Sequence, residues 1–217
     1  MLGSELRRAP ATARAEAHVG RRVLGGAVGN NRLTSVLGVI LLIGLAVEGV
    51  TIPRIHQLLS VHVFVGMLLL GPVAAKLAST GYRFARYYAG GVEYVRLGPP
   101  QPLMRFLVAP VLVLSTLTLF GSGVTLLLVP HRGAVLGLHK ASFIVWFAAM
   151  TVHVLAYTAR ALRHTLADLG GRLPGGNRLR LVVAALTIVG GIAIAASTYH
   201  LAHPWFHHAF FFDGHDG

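Results

Sequence analysis

Two histidines, His139 and His153, lie fourteen residues apart in one apolar stretch that also contains Trp146. In an α-helix this spacing corresponds to about 21 Å along the axis, and the two imidazoles point within about 40° of the same direction. One face of one helix therefore presents a nitrogen ligand near each end. A membrane protein that carries electrons through two haem groups needs such an arrangement in one of its ligand helices.

A second apolar stretch carries His62, and fourteen residues later it carries Lys76 where a matching histidine would stand. Three alternatives for Lys76 stay open. Its ammonium can reach the lipid headgroups, it can hold a haem propionate, or, deprotonated by burial, it can act as an axial ligand opposite His153. Gly66 lies one turn after His62, where a missing side chain would let a porphyrin approach or let two helices pack closely.

The composition is typical of a membrane protein. Of the 217 residues, 54% are hydrophobic and 12% are charged, and the mean hydropathy is +0.67, which is too apolar for a soluble domain of this length. The absence of cysteine excludes disulfides and thiolate metal sites. The net charge is +12, and the arginines lie between the apolar runs and do not form a patch that could bind a nucleic-acid groove. This distribution is typical of membrane topology and argues against nucleic-acid binding.

Five stretches are long enough to cross a bilayer, which takes about 20 residues. They are approximately residues 33–52, 58–79, 106–129, 135–157 and 181–199. The predicted fold is an all-α integral membrane bundle of five transmembrane helices (33–199). A basic N-terminal arm (1–32) precedes this bundle, and a tail rich in histidine and aromatic residues (200–217) follows it.

The distribution of basic residues predicts the orientation of the bundle. Fifteen arginines lie in the N-terminal arm and in the second and fourth connections, whereas the opposite side has only Arg54, Arg132 and Lys140. Under the positive-inside rule the N-terminus is cytoplasmic, and five crossings place the C-terminus outside the plasma membrane.

With this topology the second and fourth helices run parallel, because both pass from the outside to the inside. His62 and His139 are then expected to face each other near the outer surface, and Lys76 and His153 to lie together near the inner surface. Ionisable groups inside a membrane point to function when they face the interior of a bundle. Haem is favoured over a bare metal ion because the helices offer imidazoles without buried acidic or thiolate co-ligands.

The outer end of the bundle carries further polar residues. Arg54, Arg132 and Lys140 lie at the mouth of the predicted outer site, where they can hold haem propionates or anchor the chain at the membrane interface. Glu48, in the outer third of the first helix, is expected to form an ion pair with Lys140 or to take protons from a quinol.

The C-terminal tail offers a second candidate metal site. Its imidazoles, chiefly His203, His207 and His208, are spaced so that copper or zinc could bind. The neighbouring aromatic residues are equally typical of a membrane interface. The connecting loops contain no phosphate-binding glycine motif, so any nucleotide or flavin chemistry would have to come from a partner.

Three segments resemble a known group of proteins. They begin at His62 (HVFVG), at Lys76 (KLASTGYRFARYY) and at Leu138 (LHKASFIVWFAAMTVH). They resemble bacterial, actinobacterial-type, cytochrome b-like membrane proteins and, more distantly, the cytochrome b561 and ferric-reductase-like haem bundles. The resemblance covers helices two to four, about half the chain. Where the broader families place two histidines on each of two helices, this chain has Lys76 in the fourth position.

Residues and resemblance together predict a b-type cytochrome membrane subunit, either a haem-dependent oxidoreductase or its electron-transfer subunit. One or two haem b groups between helices two and four would carry electrons across the membrane, and His62, His139 and His153 would bind the iron. A quinol or a redox protein would be the partner, within a homo-oligomer or a larger complex. The alternative is a haem-free membrane protein that handles metal ions, or a structural subunit of a membrane complex.

Overall fold

The computed structural model describes residues 26–98, 102–129, 133–170 and 177–208. The described part is 96% helical and contains no strand, which confirms the predicted all-α class. The N-terminal arm up to residue 25 and the end of the tail from residue 209 lie outside the described residues.

Five long helices and two short ones make up the described chain. They are α1 (Gly26–Thr51), α2 (Ile55–Tyr88), the short α3 (Val92–Arg96), α4 (Ala109–Leu128), α5 (Gly133–Leu169), α6 (Asn177–Thr198) and the short α7 (His203–His208). A 3₁₀ turn joins α1 to α2, a π-helical turn precedes α4, and another 3₁₀ turn joins α6 to α7.

Four helical segments are long and apolar enough to cross a membrane. They are Gly26–Tyr88, Met104–Leu128, Gly133–Ala167 and Arg178–Phe206. Large apolar side chains lie on their outer surfaces, among them Leu155, which is 81% exposed, and Phe106, which is 69% exposed. Such a surface suits contact with lipid, because it would be unfavourable in water.

The first segment, Gly26–Tyr88, is 63 residues long and folds back on itself at the turn Ile52–Arg54. The turn contains Pro53, which has no backbone N–H to continue the α-helical hydrogen bonds. Beyond it, Asn30 near the start of α1 bonds to Ser79 near the end of α2. α1 and α2 are therefore antiparallel neighbours along their length.

α1 lies at the centre of the bundle. It packs against α2 on one side and α5 on another, and it also contacts α6, while α2 packs on α6 and α4 packs on α5. α2 and α5 are not among the closely packed pairs. Two apolar clusters fill the bundle, one around Leu37 and Ala184 and the other around Met67 and Leu127.

Glycines allow α2 and α6 to touch through their backbones. A Cβ atom placed on Gly191 would lie closer than 3 Å to the carbonyl oxygen of Leu68, and one placed on Gly71 would lie equally close to the carbonyl oxygen of Thr187. Since neither backbone can yield, both positions require glycine. This contact fixes α2 relative to α6.

Three helices extend beyond the apolar stretches that predicted them. The structure is helical from Gly26, whereas the sequence predicted a start near residue 33, and α2 and α5 continue nine and twelve residues past residues 79 and 157. The predicted helices were too short because the length of an apolar run corresponds to the thickness of the membrane and not to the full length of the helix. Backbone hydrogen bonds continue in water through the arginine-rich segments beyond it.

Candidate functional site

His62 and His139 face each other at one end of the bundle, as the sequence predicted. Their ring centres are 6.5 Å apart and their planes are nearly perpendicular, at 88°. His62 lies in the early part of α2 and His139 in the early part of α5, and both side chains are partly buried. Two parallel helices thus bring two imidazoles together at a single depth.

The ring of His62 is held by the last turns of α1. Its Nδ1 atom lies 3.1 Å from Oε1 of Glu48 and 2.9 Å from Oγ1 of Thr51. Thr51 donates its own proton to the carbonyl oxygen of Glu48, so its hydroxyl oxygen can only accept from Nδ1. The network therefore places the proton of His62 on Nδ1, which leaves Nε2 with a free lone pair.

The ring of His139 is held in the same way by α4. Its Nδ1 atom lies 3.0 Å from the carbonyl oxygen of Leu119 and 3.1 Å from Oγ of Ser122. A carbonyl only accepts, and Ser122 donates its own proton to Leu119, so Nδ1 of His139 must be the donor. Gly123 makes room for the ring, because a Cβ there would lie 3.3 Å from Cε1.

The described residues leave both Nε2 atoms without a hydrogen bond. Metal-binding histidines are commonly held in this way, with one ring nitrogen fixed by a carboxylate or carbonyl and the other free for the metal. Two imidazoles that bind one metal ion from opposite sides, at about 2 Å each, have ring centres about 6 Å apart. The observed separation of 6.5 Å fits this arrangement.

The number of ligands limits which metal groups the two imidazoles could hold. The described residues contain no group of three or more His, Asp or Glu side chains that could hold a metal ion. Structural and catalytic sites for a bare ion usually take at least three protein ligands. Haem iron takes its four equatorial ligands from the porphyrin, so two imidazoles are enough.

Glu48 differs from the prediction. Glu48 pairs with His62 and not with Lys140, which is exposed and makes no ion pair within the described chain. The reason is that Glu48 lies on the side of α1 that faces α2. A Cβ on Gly66 would lie 3.3 Å from Oε1 of Glu48, which agrees with the alternative that this glycine lets two helices pack closely.

Lys76 is directed into the contact between α1 and α2. Its Nζ atom donates to the backbone carbonyl oxygen of Thr34. Gly38 lies opposite, and a Cβ there would be 3.0 Å from Nζ. This orientation does not fit the alternative in which the ammonium extends along α2 to the headgroups.

His153 lies one turn before Tyr157 on α5, and the structure shows no contact between it and Lys76. Within the described chain its imidazole makes no hydrogen bond, and its ring centre is 5.0 Å from that of Tyr157. Trp146, midway between His139 and His153, is buried and donates from Nε1 to Oγ1 of Thr116 on α4, at 3.1 Å.

The remaining predicted residues lie at the periphery or outside the described chain. Arg54 and Lys140 are exposed near the His62 end of the bundle. His203 is exposed at the start of α7, with its ring 6.1 Å from that of Phe206. Arg132 and the side chains of His207 and His208 lie outside the described residues, so the external metal site stays a prediction.

Comparison of the chain with protein-family models, with curated proteins and with solved structures found no match. The resemblance carried by the segments at His62, Lys76 and Leu138 therefore stays a prediction.

Proposed function

We propose that this protein is a b-type cytochrome subunit of the membrane, in which His62 and His139 would together hold one haem b. The observation that carries the proposal is the pair of rings 6.5 Å apart, each with Nδ1 engaged and Nε2 free. Bound haem would supply one-electron redox chemistry, while the protein would supply binding, orientation and a medium of low dielectric constant.

The chain's own residues would prepare both ligands before haem arrives. Glu48 and Thr51 keep the His62 ring in one tautomer, and the Leu119 carbonyl and Ser122 do the same for His139. The carboxylate beside His62 makes that imidazole more basic and a stronger ligand. Neither ring would have to change its protein hydrogen bonds on binding.

The proposal includes five membrane crossings, by α1, α2, α4, α5 and α6. The segment Gly26–Tyr88 counts as two crossings, because α1 and α2 run antiparallel. The arginine distribution supports a cytoplasmic N-terminus and an external C-terminus in the plasma membrane. The His62 end would then lie near the outer surface, where the exposed Arg54 and Lys140 can pair with haem propionates.

The absorption spectrum of the purified, reduced protein tests the proposal. We expect a low-spin haem α-band with close to one haem per chain, and we expect His62→Ala or His139→Ala to abolish it. His56→Ala and His203→Ala are matched controls at the same end of the bundle, because both side chains are exposed, and they should leave the band intact.

Two results would overturn the proposal. One is a wild-type protein without a haem band when it is produced with haem supplied. The other is a normal band in both ligand variants. Bound copper or zinc in haem-free protein, measured by elemental analysis, would favour the metal-handling alternative.

A further inference from the structure

Arg105 lies among three aromatic rings at the end of the bundle where α2 ends. It belongs to the π-helical turn Met104–Val108, which precedes α4. The centre of its guanidinium group lies 5.4 Å from the ring centre of Tyr87, 4.9 Å from that of Tyr88 and 5.0 Å from that of Phe106. A guanidinium group within about 6 Å of an aromatic ring is attracted to it. Rings from two helical segments therefore hold this cation in one place.

Most hydrogen-bond donors of Arg105 have no acceptor in the described chain. A guanidinium group has five N–H donors, and only the hydroxyl oxygen of Tyr88 accepts from it. No carboxylate of the described residues forms an ion pair with Arg105. Glu93, at the same end of the bundle, accepts from the backbone N–H of Ala27 instead. The rings therefore position a cation whose charge lacks an anion.

The surface around Arg105 is apolar. Phe84, Leu103 and Phe106 all have exposed side chains. The ring centre of Phe84 lies 4.5 Å from that of Tyr88, so this ring continues the aromatic surface along α2. A continuous apolar surface of this kind is unfavourable in water and needs an apolar cover. A ligand for Arg105 therefore has to combine an anionic group with an apolar body.

The position of Arg105 along the chain gives its depth. The apolar run 106–129 begins directly after it, and the helical segment that is able to cross a membrane begins at Met104. In the proposed five-crossing bundle the guanidinium group would therefore lie where the hydrocarbon meets the headgroups. Tyrosines such as Tyr87 and Tyr88 are typical of that depth, and the phosphate groups of lipids lie there.

We propose that Arg105 binds the phosphate group of an anionic phospholipid, whose acyl chains cover Phe84 and Phe106. The planar guanidinium group can donate to two phosphate oxygens at once. An anionic lipid is favoured over a zwitterionic one, because this end of the bundle carries the arginine-rich connections and such segments attract anionic lipids. The inference rests on the membrane crossings of the proposed function and not on its haem.

The test is native mass spectrometry of the full chain, delipidated in a non-ionic detergent and titrated with phosphatidylglycerol. Phosphatidylcholine with the same acyl chains is titrated in parallel. We expect the first phosphatidylglycerol to bind about fivefold more tightly than phosphatidylcholine. Arg105→Gln should weaken phosphatidylglycerol binding by about tenfold or more, because it removes charged hydrogen bonds.

Matched controls separate the site from general electrostatic attraction. Arg160 is an exposed arginine at the same end of the bundle, and Arg160→Gln should leave the binding of the first phosphatidylglycerol unchanged. Tyr88→Leu removes one ring and should weaken binding about 2- to 5-fold, whereas Tyr88→Phe keeps the ring and should bind like the wild type. Arg105→Lys keeps the charge without the planar group, so its affinity should lie between those of the wild type and Arg105→Gln.

Equal affinities for the two lipids, or equal losses in Arg105→Gln and Arg160→Gln, would overturn the inference. Binding of glycerol 3-phosphate as tight as that of phosphatidylglycerol would also overturn it, because the site would then need no acyl chains. The haem spectrum of the same samples is an independent readout. A haem-loaded protein without selective lipid binding refutes this inference alone, whereas selective binding by a protein without haem supports the lipid site and refutes the cytochrome proposal.

Discussion

Replacement of Glu48 by alanine should weaken haem binding without weakening the fold. Oε1 of Glu48 is one of two acceptors for Nδ1 of His62, at 3.1 Å, and Oγ1 of Thr51 is the other, at 2.9 Å. In the variant, only the neutral hydroxyl of Thr51 would hold the ring. His62 would then sample ring orientations other than the one that Glu48 and Thr51 hold together.

The expected size of the effect follows from the chemistry of the lost contact. The side chains of His62 and Glu48 are only 24% and 15% exposed, so water screens their interaction weakly. A hydrogen bond to a charged group contributes about 1.5–3 kcal/mol, which corresponds to a loss of about 10- to 100-fold in haem affinity. Ser122→Ala should cost only about 2- to 10-fold, because the carbonyl oxygen of Leu119 still accepts from His139.

The stability of the haem-free fold should change much less than the haem affinity. Oε2 of Glu48 is buried and has no hydrogen-bond partner in the described chain. An unsatisfied buried polar group costs about 1–3 kcal/mol of stability. Glu48→Ala removes this unfavourable atom together with the hydrogen bond from His62, and the two effects are of similar size, so the haem-free variant should unfold at about the same temperature as the wild type.

Titration of haem-free protein with haem, followed by absorbance, measures the affinity, and thermal unfolding of the same samples measures the stability. Glu48→Gln is the matched control. Its amide oxygen still accepts from Nδ1 of His62, so its affinity should lie between those of the wild type and Glu48→Ala. Wild-type haem affinity in Glu48→Ala would refute the positioning role. A loss of unfolding free energy in the haem-free state that is as large as the loss of haem-binding free energy would show that Glu48 acts only on the fold.

Three further predictions concern the bundle. Gly191→Ala should destabilise the bundle by about 1–3 kcal/mol in thermal unfolding, because its Cβ would meet the carbonyl oxygen of Leu68. Gly190→Ala is the control and should be neutral, since nothing lies within 4 Å of that position. Equal effects of the two substitutions would contradict the backbone contact. A periplasmic reporter should be active after Gly217 and inactive within residues 160–180, and the reverse pattern would invert the membrane orientation. Trp146→Phe should lower the free energy of unfolding by about 1 kcal/mol, because it leaves the Thr116 hydroxyl without its donor. The same substitution in a Thr116→Val background should lower it by less. An equal loss in both backgrounds would show that the effect comes from packing and not from the hydrogen bond.

The pairing of the two histidines could be predicted from the sequence for two physical reasons. The fourteen-residue steps along α2 and α5 keep their residues on one face of each helix. The alternation of membrane crossings makes these helices parallel, so His62 and His139 have to share a depth. The observed ring separation agrees with this reasoning, which needs only the helix period and the distribution of arginines.

The partners of the histidines could not be predicted in the same way. Glu48 contacts His62 and not Lys140 because of the rotation of α1 about its axis, and an apolar helix with little amphipathic pattern leaves that rotation undetermined. The acceptors for His139 and Lys76 include backbone carbonyls of Leu119 and Thr34. Every residue has a carbonyl, so no residue type marks these two. Ser122 is a polar residue in the apolar helix α4, and it was the one sequence feature that could have indicated a partner for His139.

The contact between α2 and α6 has a consequence for biosynthesis. Leu68 and Gly191 meet through their backbones, so the contact can form only after the ribosome has completed α6. During translation the glycine face of α2 therefore lies against lipid or against the insertion machinery. The helix that carries His62 reaches its final position late, and a nascent chain stalled before α6 would present this uncovered face to the proteases that survey the membrane.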